Sequence, residues 1–535
     1  MRSASLRLRV CAVKLFLSGH PAARPIVLAA VGGVFHFLGF AGFGIWPLAL
    51  ICLVPLWLAL EQTRGRLRAA GLVGLLFGWV SYVGGYWWLW RIVDVFLHGD
   101  LLLGAAIWLA DSAWFAVRYA LYAVLYTLVR RRGWPVAIAA VPTLILVEWF
   151  YPLLFPVHLG HALAEQTTFI QMADLGGPLL LTSFAAVLNV AAFETWRWWG
   201  GEGARPLAAW AAAGLALVLA PTYATIRMAR LEHDIATAPT LRVGVVQGNL
   251  GVQEKGAQAE RDHRRYLEQT RELLAGGDLD LVVWPETVYT RGVRGPLPIS
   301  GELIRADLRV PLLLGAALVR TDSGRRLAYN SALLIGADGV IREAYDKNLL
   351  IPFTEYVPLA TALPVLGERF ATASHFAAAT DVPALSLGPA RISTPICYEA
   401  VRPAFVRRMV RQGKPNLLVT LANDAWFGDS QGPWLHLAMA RQRAVEHRRY
   451  LVRATNSGVS AVVDPMGRDV ARSGLLTREN LRVTVALLDD LTVYARWGDW
   501  PGWISLVLVA AALAFPPRRL PPHPLISQAL APSHP

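Results

Sequence analysis

Eight stretches of this chain are too long and too apolar to belong to an ordinary soluble core. Seven fall at 25–42, 45–61, 69–90, 101–129, 134–153, 176–196 and 206–224, and the eighth at 501–516. A helix needs about 20 mostly apolar residues to cross a bilayer, so each is a candidate span. Hydrophobic residues make up 55% of the 535 and charged residues only 17%. A soluble domain carries roughly 25% charged residues, so neither a disordered chain nor a wholly soluble one fits. Three cysteines, Cys11, Cys52 and Cys397, cannot build a disulfide framework.

The net charge of +13 comes from 51 Lys plus Arg against 38 Asp plus Glu, and its distribution explains it. Arg2, Arg7, Arg9, Lys14 and Arg24 precede the first span; Arg64, Arg66 and Arg68 follow the second. Arg130, Arg131 and Arg132 follow the fourth, Arg197 and Arg205 flank the loop after the sixth, and Arg518 and Arg519 follow the eighth. All lie on one side if the N-terminus is inside, the positive-inside pattern. Residues 1–24 then read as a cytoplasmic leader, 25–224 as seven spans, 501–516 as the last, and 517–535 as a cytoplasmic tail. The expected location is the inner (cytoplasmic) membrane, multi-pass, with both termini cytoplasmic and residues 240–490 on the periplasmic side. Basic residues in short loops, not on one stripe, argue against a nucleic-acid partner. Tyr86, Trp87, Trp88, Trp90, Trp149, Tyr151, Trp196, Trp198 and Trp199 sit near span ends, where amphipathic rings favour the headgroup level. Asp111, Arg118 and Glu148 fall in or near spans; seven positions apart, Asp111 and Arg118 share a helix face, so a structural role is as plausible as a functional one.

Residues 240–490 read differently. Short apolar runs at 241–247, 279–284, 311–318, 331–336, 391–396, 416–421 and 459–463 suit strands covered on both faces. Between some of them, 260–275 and 436–448 have helical spacing. An α/β domain with a substantial core is expected. Its chemistry collects at strand ends: Glu286 in VVWPET, Lys347 in YDKNLLIPFTEY and Cys397 in STPICYEA. A thiol that attacks a carbonyl, a carboxylate that takes its proton and an ammonium that stabilises negative charge are the parts of nucleophilic acyl transfer. Taken singly, each has an ordinary structural explanation. Cys397 is expected to be a low-pKa thiolate beside Lys347. His158 and His161 in HLGH lack an acidic or thiol partner nearby and read as interfacial, not as metal ligands. No phosphate-cradling glycine loop is evident, so no nucleotide, metal or other cofactor is expected.

In their order, and with spacings of 61 from Glu286 to Lys347 and 50 from Lys347 to Cys397, the three motifs resemble the nitrilase (carbon-nitrogen hydrolase) superfamily. VVQGN at 245–249, NDAWFGDSQGPWLHLAMARQRAVE at 423–446 and RATNSGVSAVVDPMG at 453–467 are similar to the apolipoprotein N-acyltransferase family, as is the layout of spans. The resemblance implies an αββα sandwich beside a multi-pass helical domain, with Glu286 as general base, Lys347 as electrostatic partner and Cys397 as nucleophile. It also implies supporting roles for Glu355, a second carboxylate, for Tyr398 and Glu399 beside the nucleophile, and for Asn423, Trp426, Phe427 and Gly428. Two positions depart from the family pattern. Thr354 stands where the family commonly has Gly, so the loop around Glu355 is expected to differ, and Gly256 stands where it often has Trp.

The reaction implied is ping-pong. A phospholipid, with phosphatidylethanolamine as the expected donor, gives its sn-1 acyl chain to the cysteine. The thioester then acylates the α-amino group of an N-terminal diacylglyceryl-cysteine on a lipoprotein. A monomer is expected. Because acyl chains cannot be drawn into water cheaply, at about 0.8 kcal/mol per CH₂, an apolar access route is expected near 353–376, through Leu359, Leu363, Leu366, Phe370 and Phe376. A membrane-tethered amidase of the same superfamily, and a transporter or receptor with an inert sensing domain, are the competing readings.

Overall fold

A computed structural model describes residues 23–90, 100–251, 259–322, 324–358, 362, 365 and 375–517. The basic leader with Cys11, Gly256, Leu359, Leu363, Leu366, Phe370 and the Arg518–Arg519 tail lie outside the described residues.

Each of the eight apolar stretches contains a helix: α1 (Arg24–Leu38), α2 (Leu53–Gln62, preceded by a 3₁₀ turn at Trp46–Leu50), α3 (Leu67–Gly85), α4 (Leu101–Arg131), α5 (Val136–Phe150), α6 (Ala173–Trp199), α7 (Leu207–Thr237) and, at the C-terminal end, α11 (Trp500–Ala514). Four of them, α3, α4, α6 and α7, are long and apolar enough to cross a membrane; the others are shorter apolar helices. Length alone therefore carries four of the expected eight spans. Turn residues account for the shortening. Gly42 and Gly44 take positive φ just past α1, Pro152 follows α5, and Pro516 and Pro517 follow α11, where proline cannot continue a helix. In the other direction, α7 runs well past its apolar part, because polar residues 225–237 continue the helix.

The arginine clusters meet at one end of the helices. Arg64, Arg130 and Arg131 surround one small cavity, where Arg130 pairs with Glu61 at 3.0 Å. The indole of Trp134 donates to the Ala512 carbonyl at 2.9 Å, bringing the end of α11 to the same side.

Inside the bundle, Arg118 pairs with Glu148 at 3.0 Å and not with Asp111. It also donates to the Val157 carbonyl at 2.6 Å, while Glu148 accepts from Thr182 at 2.7 Å and from the Leu159 amide at 2.9 Å. The pair ties α4, α5, α6 and the loop before α6 together. Arg118→Met strands a buried carboxylate and should cost about 3–5 kcal/mol. Thermal unfolding in detergent should show a larger loss for this single variant than for Arg118→Met/Glu148→Gln, in which no buried charge remains. His158 and His161 are buried in this region, not interfacial, with the His158 amide donating to His161 Nδ1 at 2.8 Å.

The second part of the chain holds two sheets. Fourteen strands are described: β1 (Thr240–Gln247), β2 (Leu281–Val283), β3 (Tyr289–Arg294), β4 (Ile299–Ser300), β5 (Leu312–Asp322), β6 (Arg325–Ile335), β7 (Val340–Asp346), β8 (Leu385–Leu387), β9 (Ala390–Ser393), β10 (Leu417–Ala422), β11 (Leu451–Thr455), β12 (Ala461–Val463), β13 (Asp469–Arg472) and β14 (Glu479–Ala486). One sheet runs β14-β1-β2-β5-β6-β7-β4, with β3 beside β5, and the other runs β13-β12-β11-β10-β9-β8. Leu241, Val243, Leu281 and Leu313 from the first sheet and Ile392, Leu417, Val419 and Val452 from the second share a buried core between them. Helix α8 (Ala259–Ala275) covers the outer face of the first sheet through Tyr266, Leu267 and Leu273. Helices α9 (Pro403–Gly413) and α10 (Gly432–His447) cover the second through Val406, Val410, Leu437 and Ala440. The architecture is an αββα sandwich beside a helical region.

The two parts are not merely tethered. Tyr398, Val401, Phe427, Leu435 and Met439 of the sandwich belong to the same buried cluster as the membrane helices. Trp88, expected as an interfacial anchor, is buried instead and meets Phe427 edge-on at 4.6 Å. Tyr86 is likewise buried. The end of α3 meets the sandwich, so Tyr86 and Trp88 are buried contacts and not anchors, whereas Trp87 is exposed.

Candidate active site

β1, β2 and β5 are parallel, β6 and β7 alternate beside them, and β9 and β10 are parallel to each other. Glu286 follows β2, Lys347 follows β7, Cys397 follows β9 and Asn423 follows β10, so four C-terminal strand ends deliver the chemistry to one edge. A cavity of about 330 Å³ opens there, lined by Glu286, Lys347, Glu355, Cys397, Asn423, Trp426 and Phe376, among others.

Glu286 is held by the segment that precedes it. Trp284 is buried, with its indole donating to Thr270 at 2.9 Å, and the Pro285 carbonyl accepts from the Gly315 amide at 3.1 Å. A Cβ at Gly315 would come within 2.6 Å of the Glu286 Cα, so only glycine lets β5 approach this closely.

Lys347 is buried between two carboxylates. Its Nζ donates to Glu286 at 3.1 Å and to Glu355 at 2.9 Å. Asn330 Nδ2 bridges the same two oxygens at 2.8 Å each. Burial works against the ammonium, but Glu286 and Glu355 outweigh it and hold the lysine well above its ordinary pKa. The loop carrying Glu355 is closed by its own hydrogen bonds: the Ile351 amide donates to the Glu355 carboxylate at 2.9 Å, and Thr354 donates to the Ile351 carbonyl at 3.2 Å. The positive φ in this loop falls on Phe353, at +64°, and not on Thr354. Thr354 therefore meets no backbone obstacle to replacing glycine.

Cys397 starts a single 3₁₀ turn with φ of +50°, a left-handed conformation that is costly for a residue with a Cβ. Such strain persists only where the surroundings over-determine it, and Glu399 supplies much of that. Its buried carboxylate accepts from the amides of Asn348 at 2.7 Å, Leu349 at 3.0 Å and Ile396 at 2.8 Å, and from the Tyr345 hydroxyl at 2.8 Å. It thus ties the segment after Lys347 to the turn that bears Cys397. Burial raises the Glu399 pKa to about 7.

The expected low-pKa thiolate is not what the site holds. Burial, followed by the nearby Glu286 carboxylate, pushes the Cys397 thiol well above its ordinary value despite the opposing pull of Lys347. These influences favour the neutral thiol over the thiolate. Below its pKa, the thiolate fraction rises tenfold per pH unit. Alkylation of Cys397 by iodoacetamide should therefore keep rising from pH 6 to pH 9; a plateau in that range would indicate a preformed thiolate.

The remaining residues divide between cavity and scaffold. Asn423 and Trp426 line the cavity, and the Trp426 indole donates to the Asn423 carbonyl. Phe376 lines it too, with its amide donating to the Glu355 carbonyl at 2.9 Å. Phe427 stacks on Trp426 at 5.3 Å and faces the helices through Trp88. Gly428 has φ +58° and ψ −155°, a region open essentially to glycine alone. Tyr398 points away from the cavity, meeting Phe155 of the helical region at 5.8 Å.

Two groups were not apparent in the sequence. Asn330 lies one residue before the apolar run that marks β6, so alternation gave no reason to single it out. Behind Cys397, His436 Nδ1 meets Asp424 at 2.8 Å, and Arg453 donates to the other Asp424 oxygen at 2.6 Å. His436 Nε2 lies 3.3 Å from the Cys397 carbonyl. Burial opposes the Asp424 charge, but Arg453 and His436 outweigh it and hold its pKa at about 2. Asp424 and His436 stand within the 423–446 motif; that they meet Arg453 depends on β10 and β11 being neighbours.

Residues 242–495 match the carbon-nitrogen hydrolase family, and residues 32–191 match the apolipoprotein N-acyltransferase N-terminal domain. An apolipoprotein N-acyltransferase of Geobacter metallireducens is 31% identical over 507 residues, covering 92% of this chain and 95% of that protein. Those of Azotobacter vinelandii and Gloeobacter violaceus are 32% and 33% identical, covering 94% and 91% of this chain and 97% and 92% of theirs. The similarity thus runs along nearly the whole length of named relatives and takes in both the helical region and the sandwich of this chain, and the chain belongs to the apolipoprotein N-acyltransferase family.

Proposed function

We propose that this membrane-bound enzyme moves the sn-1 acyl chain of a phospholipid, phosphatidylethanolamine foremost, through a thioester on Cys397 to the α-amino group of a lipoprotein's N-terminal diacylglyceryl-cysteine. The observation that carries this reading is a buried thiol on a strained turn, sharing one cavity with a carboxylate–ammonium–carboxylate chain and seated on the membrane helices. In the first half-reaction Glu286 takes the thiol proton as sulfur attacks the ester carbonyl. Lys347 stabilises the oxyanion, and the proton passes to the departing lysophospholipid oxygen. In the second half, the amine attacks the thioester, Glu286 takes its proton, and the proton returns to sulfur. Glu355 and Asn330 hold Lys347 in place, Glu399 fixes the turn, and Asn423, Trp426, Phe427 and Gly428 shape the cavity wall; Tyr398 seats the turn on the helices.

The protein acts as a monomer in the inner membrane, with its N-terminus cytoplasmic and the sandwich periplasmic. That orientation is supported by the arginine clusters gathered at the far ends of the helices. Phe353 and Tyr356 are exposed beside the cavity and Phe376 lines it, which supports acyl-chain access on this side.

Intact mass spectrometry after incubation with phosphatidylethanolamine should show one acyl adduct on Cys397, discharged by a diacylglyceryl peptide with a free amine. Release of ammonia from a soluble amide without amine acylation would favour the amidase reading. Glu286→Gln should slow adduct formation by about 10²–10⁴-fold, the usual contribution of a general base.

A further inference from the structure

A second cavity lies far from Cys397, at the arginine-bearing end of the helices. It measures about 490 Å³ and is bounded by α5, α6 and α7. Its walls are apolar along Val141, Val187, Val190, Ala209 and Ala212, and its mouth carries Arg197, Trp198, Arg205 and Glu194. The cavity exists because α7 stands away from its neighbours. Only 17% of its most apolar window is buried, against 61% for α6, and Leu215, Leu217, Val218 and Leu219 are exposed. Small alanines on α7 leave the space unfilled. In a bilayer such a cleft cannot hold water, because its walls offer no hydrogen-bond partners.

The mouth is built, not incidental. The Arg205 guanidinium lies 5.9 Å over the Trp198 ring, Trp198 meets Trp210 edge-on at 5.4 Å, and the Trp210 indole donates to Thr195 at 2.8 Å. This stack joins α6 to α7 at the level where indoles prefer the headgroup region. Beyond that stacking, the Arg205 side chain makes no hydrogen bond or ion pair among the described residues. Arg197 has a long contact to Glu194 at 3.7 Å, a 3.3 Å bond to the Glu202 carbonyl and a position 5.8 Å over the Phe193 ring. Two guanidiniums with donors to spare, set above an apolar cleft, match a phosphate above an acyl chain. Among the side chains that line the cavity, two arginines against Glu194 leave one positive charge, with Glu202 exposed in the loop outside the lining, which suits a lipid of net charge −1 better than a zwitterion.

We propose that this cleft is a resident phospholipid site, with the lipid phosphate on Arg197 and Arg205 and one acyl chain along Val141, Val187 and Ala209, selective for an anionic phosphatidylglycerol-type headgroup. It requires that the helices lie in a bilayer but not the reaction proposed above. The opposite end of α6 meets the sandwich, where Asp174 pairs with Arg448 at 2.8 Å. At 1.5 Å per residue, the two ends of this helix are on the order of 35 Å apart, so this lipid is not the acyl donor at Cys397.

The test is native mass spectrometry of full-length protein released from nanodiscs of mixed phosphatidylethanolamine and phosphatidylglycerol. Wild type should retain one phosphatidylglycerol in excess of its bulk share. Arg197→Gln/Arg205→Gln should lower that retention about tenfold, equivalent to 1.4 kcal/mol. Ala209→Trp, which fills the cleft and spares both arginines, should do the same and decides the matter alone if the arginine variant does not fold. Acyl transfer in the same preparations should persist, separating this site from the catalytic one. Retention in proportion to the bulk lipids, or unchanged retention in Ala209→Trp, would overturn the proposal.

Discussion

Cys397→Ala should abolish the acyl-enzyme and lower amine acylation by on the order of 10⁴-fold or more, since the sulfur that would carry the acyl chain is removed. The fold should survive, because the turn is held by Glu399 and by contacts around it, not by the sulfur. Cys397→Ser should retain little activity: the buried site already disfavours an anion at this position, and a hydroxyl is harder still to deprotonate. Cys397→Gly provides an internal control. At φ of +50° glycine relieves a strain of about 1–2 kcal/mol, so this inactive variant should melt above Cys397→Ala. Transfer at the wild-type rate by Cys397→Ala would remove the nucleophile from the mechanism. Equal melting of the alanine and glycine variants would remove the strain.

What could be read from sequence followed from how local each signal was. The apolar stretches and the α/β alternation are local, and they placed the helices, an α/β domain and seven of its strands, whereas the sandwich was implied by the family resemblance. Span length was less legible, because an apolar run does not reveal where a proline or positive-φ glycine ends its helix, as at Pro152 and Gly42. Strands with mixed exposure, such as β7 and β13, lack the continuous apolar character that marks β1 or β10. At the site, Glu286, Lys347 and Cys397 stand in short motifs, and the strand ends bring them together. Asn330 could not be found that way, because its role depends on two carboxylates from other segments. The Cys397 thiol was misjudged for a related reason. A neighbouring lysine favours a thiolate, but burial and Glu286 oppose it, and neither is visible in the ICYEA motif.

The largest structural effect should come from Lys347. Its ammonium pairs with both Glu286 and Glu355 in a buried space, whereas Asn330 supplies a neutral donor to the same two oxygens. Lys347→Met keeps the volume of the stem and removes the charge, so that two buried carboxylates lose the ammonium they share. Removing one member of a buried ionic cluster costs about 3–5 kcal/mol, which should appear as a clear drop in melting temperature. Loss of oxyanion stabilisation should also slow acyl-enzyme formation by about 10²–10³-fold. Lys347→Met/Glu355→Gln separates the two effects. With one carboxylate neutralised, much of the stability should return, whereas the adduct should form no faster, because nothing cationic faces the oxyanion. Additive losses of stability in the double variant would mean that the three groups are not coupled. Recovery of activity along with stability would mean that Lys347 serves the fold alone and leaves the chemistry to Glu286 and Cys397.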